Sequence, residues 1–176
     1  MRKEQKTNSL KIRTEKVNDY PAIAELNNLA FRRENEAKLI DEIRQSKGYI
    51  PELSLVAELN RKIVGHIMFS YIDLIDKETT KVIALAPVAV LPEHQNKGIG
   101  SLLIKNGLEV ADKIQAPIVI VLGEPKFYIR FGFKPAIAYG IQSPFDVPDE
   151  YFMAKFLTKL DGYRGKIIYP ATFGAV

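Results

Sequence analysis

The sequence predicts an α/β domain with a mixed, splayed sheet, and three stretches carry that expectation. Residues 82 to 91 (V-I-A-L-A-P-V-A-V-L) hold no charge, which suits a strand covered on both faces in mid-sheet. Pro87 interrupts this run. Proline cannot donate to a ladder, so a central strand accommodates it at a bulge or where a neighbour has parted company, and the sheet is expected to open there. The loop Gln95-Asn96-Lys97-Gly98-Ile99-Gly100 then leads into an amphipathic helix, and Ile118 to Leu122 forms a second uncharged strand. Strand, helix, strand implies a parallel, right-handed crossover, with an anion site at the carboxyl end of its first strand.

The chain of 176 residues fits one domain with a full core, and residues 1 to 8 form a solvated tail before a single domain over 9–176. Leu10, Ile12 and Thr14 alternate with Lys11, Arg13 and Glu15, which predicts a half-exposed first strand over Leu10 to Lys16. Asn18 is placed to cap a helix that runs to about Phe31, with Pro21 in its first turn and Ile23, Leu26, Leu29 and Ala30 inward. Asn35 caps a second helix to Arg44 or Gln45, with Leu39, Ile40 and Ile43 buried and Gly48 ending it. Arg32, Arg33 and Glu34 between them are expected to be a wet connection.

Leu53–Leu59 and Lys62–Leu74 predict an antiparallel hairpin around Asn60-Arg61. His66, Met68 and Ser70 share one face of its second strand, where His66 or Ser70 touches substrate if that face lines a cleft. The helix after the glycine loop is expected from Gly98 to about Ile114, with Ile99, Leu102, Leu103, Val110, Ala111 and Ile114 on its apolar side. Beyond Phe133, residues 137 to 141, Tyr151 to Leu157 and Ile167 to Tyr169 are expected as strands.

A dinucleotide fingerprint would need a third glycine at position 103, which is Leu103, and a P-loop would need Gly-Lys-Ser/Thr, which is absent. The loop resembles instead the cofactor motif of the GNAT N-acetyltransferases, carried here by Gln95, Gly98 and Gly100. A glycine-rich turn capping an ordinary helix explains the loop alone but not its flanks. The A-P-V-A-V run before it, L-G-E-P-x-x-Y-x-R-F-G-F at Leu122 to Phe133, E-A-K-L-I-D-E-I-R at Glu36 to Arg44 and G-K-I-I-Y-P-A-T-F at Gly165 to Phe173 are all similar to the YhbS-like branch of that superfamily. The similarity spans about residues 10 to 173.

The resemblance implies a GNAT-like, mostly antiparallel splayed sheet around a parallel β-α-β coenzyme-binding core, with helices on both faces. It also implies transfer of an acetyl group from acetyl-CoA to a primary amine, on a small molecule or a protein. Val88, Ala89 and Val90 then bond the pantetheine arm, and Gln95, Asn96, Lys97, Gly98, Ile99, Gly100 and Ser101 receive the pyrophosphate. Gln95 bonds a phosphate or pins the loop. Tyr128 matches the tyrosine that protonates the leaving sulfur, against the plainer reading of an aromatic cluster with Phe127, Phe131 and Phe133. Lys126 and Arg130 are within reach of an outer phosphate. Glu124 is the nearest candidate base; His66, Glu93 and a water chain are the others. The rival readings are a domain that binds or senses acetyl-CoA without catalysis, and transfer of a longer acyl group.

Composition narrows the classes. Without cysteine there is no disulfide, thiolate metal site or cysteine nucleophile, so direct transfer in a ternary complex is preferred to a thioester intermediate. His66 and His94 have no partner at metal-ligand spacing, and no metal is expected. The net charge of +4 resides in residues 1 to 16, which carry six basic side chains against Glu4 and Glu15, so the remaining nineteen of each sign cancel. A neutral body argues against nucleic acid. The apolar runs are too short for a membrane span, a cytoplasmic protein is expected, and a homodimer stays open.

Overall fold

The computed structural model describes residues 9–158 and 162–175. The expected tail, residues 1 to 8, lies outside the described residues. Nine strands pair in the order β1-β2-β3-β4-β5-β8-β6, with β9 pairing β3 and β7. Their spans are β1 Leu10–Thr14, β2 Tyr49–Leu59, β3 Lys62–Ile75, β4 Thr79–Val90, β5 Ile118–Leu122, β6 Lys134–Pro135, β7 Ile141–Gln142, β8 Phe152–Phe156 and β9 Gly165–Ile168. The longer helices are α1 Tyr20–Phe31, α2 Asn35–Arg44 and α3 Ile99–Lys113, and α4 is the short turn Pro125–Tyr128. The pairings are antiparallel except β4 with β5 and β7 with β9. This is the mixed, mostly antiparallel sheet that the sequence predicts.

The β2–β3 turn forms because Asn60 and Arg61 both take left-handed backbone angles, φ 52° and 68°, the pair a two-residue hairpin needs to match strand twist. α3 buries Ile99, Leu103, Ile104 and Leu108 against one face of the sheet, and α2 buries Leu39, Ile40 and Ile43 against the other. Gly107 lets α3 lie flush on the sheet, since a Cβ there would overlap the ring of Phe69.

Several local expectations are corrected. A 3-10 turn, Val17–Asp19, precedes α1, and the side chain of Asp19 rather than Asn18 closes it by accepting from the Lys16 N–H at 2.7 Å. Leu29 is 49% exposed and Asn27 is buried in its place, its amide donating to the Ile23 carbonyl. Leu102 and Ile114 lie at the exposed margin of α3 while Gly107 and Leu108 are inside, so the buried stripe is rotated from the expected one. Residues 136–139 form a 3-10 turn rather than strand, because Gly140 at φ 73° reverses the chain and only Ile141–Gln142 pair.

Candidate active site

The sheet opens where Pro87 places it. β4 and β5 pair only at Ile83 with Val119 and Ala84 with Ile120, after which the two parallel strands separate. Against β3 the register shifts between Ile67–Val88 and Phe69–Leu85, so the bulge falls on Ala86-Pro87, whose peptide bond is cis. Both alternatives left open for this proline are realised together.

Backbone alternation then decides which groups face the gap. The Leu91 N–H donates to the Val64 carbonyl on β3 at 2.9 Å. Successive residues of a strand direct their backbone groups to opposite edges, so Val90 and Val88 point away from β3 into the opening and Ala89 points toward β3. The Val90 carbonyl is indeed met on that side by the Gln95 side-chain amide at 3.0 Å.

Beyond Val90 the loop is shaped by left-handed residues, Asn96 at φ 59° and Gly98 at φ 82°. α3 starts immediately after Gly98, and the first-turn N–H groups of a helix lack intrahelical acceptors. A cleft of about 530 Å³ lies over this helix end, bounded by Val88, Val90, Asn96, Gly100, Ser101, Phe127 and Arg130 among others. Gly98 and Ile99 border it as well. Gly100 has only Val90 Cγ2 at 3.7 Å and Phe127 Cζ at 3.9 Å near a notional Cβ. The space above it therefore belongs to the cleft.

Not every residue of the expected coenzyme set reaches this cleft. Ala89 is buried, opposite His66 in the β3 ladder, and is not part of the wall. Lys97 turns its amino group back to the Glu93 carbonyl at 2.8 Å, outside the wall. Gln95 borders the cleft but spends its amide on pinning the loop to Val90.

A second cavity, of about 490 Å³, adjoins the first at Val88, the residue common to both walls. Leu85, Ala86 and Pro87 of the parted strand form its floor, and Tyr128 and Leu122 come from the β5 side. Phe31, Arg33, Glu36 and Leu39 come from the α1–α2 corner, and Phe145, Val147, Tyr169 and Phe173 close it. Tyr169 stacks between Phe145, with centroids 5.2 Å apart, and Phe173, at 4.8 Å. β9 delivers Tyr169 and Phe173, since it pairs with the far end of β3 and the chain turns over the cavity directly after it, while Phe145 comes from the segment between β7 and β8.

Tyr128 sits in a cage of rings, edge-on to Phe127 at 5.1 Å and to Phe133 at 5.7 Å. It is 7% exposed, and burial pushes its phenol up to about 12, so the hydroxyl keeps its proton. The aromatic cluster is thus present, and Tyr128 also borders the second cavity. Glu124 is exposed and caps α4, accepting from the Lys126 N–H at 3.4 Å, and it is not part of the cavity wall. The Arg130 guanidinium lies 4.4 Å over the Phe127 ring at the mouth of the cleft.

His66 does not reach either cavity wall. It is fully buried, with Nε2 3.1 Å from the Ser54 hydroxyl and 3.4 Å from the Glu15 carboxylate. Arg44 grips the same carboxylate at 3.0 and 2.7 Å, and Tyr49 donates to it at 2.9 Å. This knot ties α2 to β1, β2 and β3 and so fixes the α1–α2 corner of the cavity.

Arg33 and Glu36 join the wall without a place among the sequence-predicted site residues. Glu36 lies three and four residues before Leu39 and Ile40, on the buried stripe of α2, and is itself 2% exposed. A carboxylate on an apolar helix face was the available signal. Among the described residues there is no cluster that could hold a metal ion and no helix long and apolar enough to cross a membrane.

Comparison with known proteins adds the family. The model of the acetyltransferase (GNAT) family matches residues 20–133. The chain is 34% identical over 135 residues to the uncharacterized N-acetyltransferase YjhQ of Escherichia coli (strain K12), covering 76% of this chain and 75% of that one. It is 29% identical over 165 residues to the uncharacterized N-acetyltransferase YhbS of the same strain, covering 92% and 97%. Among solved structures it is similar to the Escherichia coli YhbS in complex with CoA, with a TM-score of 0.89 at 27% identity over 98% of this chain and 96% of that one. A GNAT family acetyltransferase from Brucella melitensis in complex with acetyl-CoA gives a TM-score of 0.79 at 32% identity, over 94% and 99%.

Proposed function

Since the chain belongs to the acetyltransferase (GNAT) family, we propose that it moves an acetyl group from acetyl-CoA directly to a primary amine within a ternary complex, in the cytoplasm. The observation that carries this reading is the meeting of two cavities at Val88 on the free edge of β4. One cavity ends on the N-terminus of α3, which suits a pyrophosphate. The other is apolar and ends at Tyr128, which suits a thioester and an acceptor.

In this reading the outward backbone groups of Val88 and Val90 hold the pantetheine arm as an added strand. Asn96, Gly98, Ile99, Gly100 and Ser101 take the phosphates, Gln95 holds the loop in shape, and Arg130 stands at the outer end. Ala89 and Lys97 support the strand and loop from behind. The lone pair of the neutral amine attacks the thioester carbonyl carbon. The C–N bond forms and the C–S bond breaks. The sulfur accepts a proton from the Tyr128 phenol, the amine releases one proton to water, and water restores the phenol. A free thiol of this kind titrates at about 8.5, and a proton supplied to it in the transition state lowers the barrier to its departure. Glu124 is a weak candidate for the base because it is tied to α4, which leaves water to take the amine proton.

Acetyl-CoA should raise the melting temperature, and thiol release should require an amine. Ligand at 100 times its dissociation constant adds about 2.7 kcal/mol to stability. Unchanged melting at millimolar acetyl-CoA would remove the basis of this reading. Binding without turnover across an amine panel would favour a sensing domain.

A further inference from the structure

We propose that the amine acceptor is a small apolar amino acid, with its primary amine, a carboxylate and an aromatic or branched side chain on one molecule. This rests on the transferase reading above. The side chain is decided by the walls. Phe31, Leu39, Phe145, Tyr169 and Phe173 present carbon to a cavity of about 490 Å³, which holds a molecule of phenylalanine's size.

The charged end is decided by Arg33 and Glu36. Glu36 is the carboxylate on this wall, and it is already taken. Arg33 Nε donates to Oε1 at 3.0 Å and to Oε2 at 3.1 Å, and Nη2 donates to Oε1. A polyamine or a lysine-rich peptide would bring several cations among apolar walls with no free anion to meet them, and a desolvated unpaired charge is costly. The guanidinium is in the opposite position. It carries five N–H donors, and Nη1 makes no hydrogen bond among the described residues. Surplus donors on a cavity wall match an anionic acceptor on the substrate, and the planar fork of arginine fits a carboxylate by two parallel bonds. The amine then lies beside that carboxylate, between Arg33 and the parted strand at Leu85 to Val88.

The test compares L-phenylalanine, phenethylamine, which lacks only the carboxylate, and spermidine, by thiol release at saturating acetyl-CoA. The expected kcat/KM for phenylalanine exceeds that for phenethylamine by roughly tenfold or more, the worth of one charge-assisted hydrogen bond, and spermidine gives no turnover. Arg33→Lys should bring the ratio of the first two toward one. Glu36→Gln removes the competing carboxylate and should keep the ratio at or above its wild-type value. The double variant Arg33→Gln, Glu36→Gln leaves no unpaired buried charge, and it should lose the preference while melting near the wild type. Equal or better use of phenethylamine or spermidine would overturn the proposal, as would a ratio that survives both Arg33 variants. A melting shift with acetyl-CoA but no turnover of phenylalanine overturns this acceptor alone. No melting shift overturns the transferase reading itself.

Discussion

The ring of Tyr128 rests on the α-carbon of Gly123, so closely that a Cβ at position 123 would overlap the Cε2 edge of the ring. This contact couples the end of β5 to a ring that borders the cavity. Gly123→Ala must push the ring out of its cage or shift the turn into α4. We expect turnover to fall by roughly 10², the cost of misplacing a reacting group by about an ångström. The acetyl-CoA melting shift should persist, because the cleft over α3 does not include Gly123. Loss of both together would mean that the turn, not the ring, had been disturbed.

Tyr128→Phe keeps the edge contacts with Phe127 and Phe133 and removes only the hydroxyl. A positioned acid is worth roughly 10² to 10⁴ in rate, so turnover should fall at least tenfold with acetyl-CoA affinity little changed. The pH profile provides a second check. If the phenol is the acid, its active form persists up to about 12, so Tyr128 contributes no alkaline limb in the neutral range. The rise of kcat/KM with pH should instead follow deprotonation of the acceptor amine. The Phe variant should lower the plateau without moving that midpoint, and a displaced midpoint would assign the titration to the tyrosine.

Gly100→Leu tests the cleft itself. A Cβ at this position meets only ordinary contacts, 3.7 Å to Val90 and 3.9 Å to Phe127, so alanine should be tolerated and the fold should survive leucine. The extra carbons would occupy the space assigned to the phosphates. The leucine variant should melt like the wild type without ligand and show no acetyl-CoA shift. A full shift would place the coenzyme elsewhere.

How far the sequence reaches depends on whether a residue acts through its neighbours in the chain. The glycine loop, the uncharged strands and Pro87 are local signals, and they located the crossover and the opening of the sheet. Ala89 and Lys97 show the limit of a contiguous motif. Strand alternation sends Ala89 toward β3, and the Lys97 amino group finds the nearby Glu93 carbonyl. The cavity beside Tyr128 was the least legible part, because Arg33, Glu36, Phe145 and Tyr169 come from segments more than a hundred residues apart at the extremes. Tyr169 arrives there because β9 pairs with β3, which a four-residue strand does not announce. Leu29 misled because it is apolar at helical spacing, while Asn27 takes the inner position by bonding its own helix at Ile23.

Glu15 provides the test of the buried knot that fixes the α1–α2 corner. Its side chain is 1% exposed and receives Arg44, whose guanidinium also stacks 3.6 Å over the Tyr20 ring. Burial works to raise the Glu15 carboxyl, but hydrogen bonds from His66 and Arg44 outweigh it and hold the group well below the usual range. A carboxyl depressed on folding contributes stability above its unfolded pKa, about 4.3, and that contribution is lost as pH falls toward the folded value. His66 adds a separate step. Burial lowers its pKa, so the unfolded chain binds a proton below about 6.5 that the folded protein refuses, and stability declines from there. Glu15→Gln takes from Arg44 the buried one of its two carboxylates and leaves the exposed Asp41 at 2.7 Å, which should cost about 1–3 kcal/mol at pH 7. The gap between wild type and variant should narrow as pH falls below about 4.3, where the wild-type carboxylate is losing its own contribution. Urea unfolding from pH 7 to pH 3 measures both effects. A gap that stays constant across that range would show that Glu15 acts by shape and not by charge.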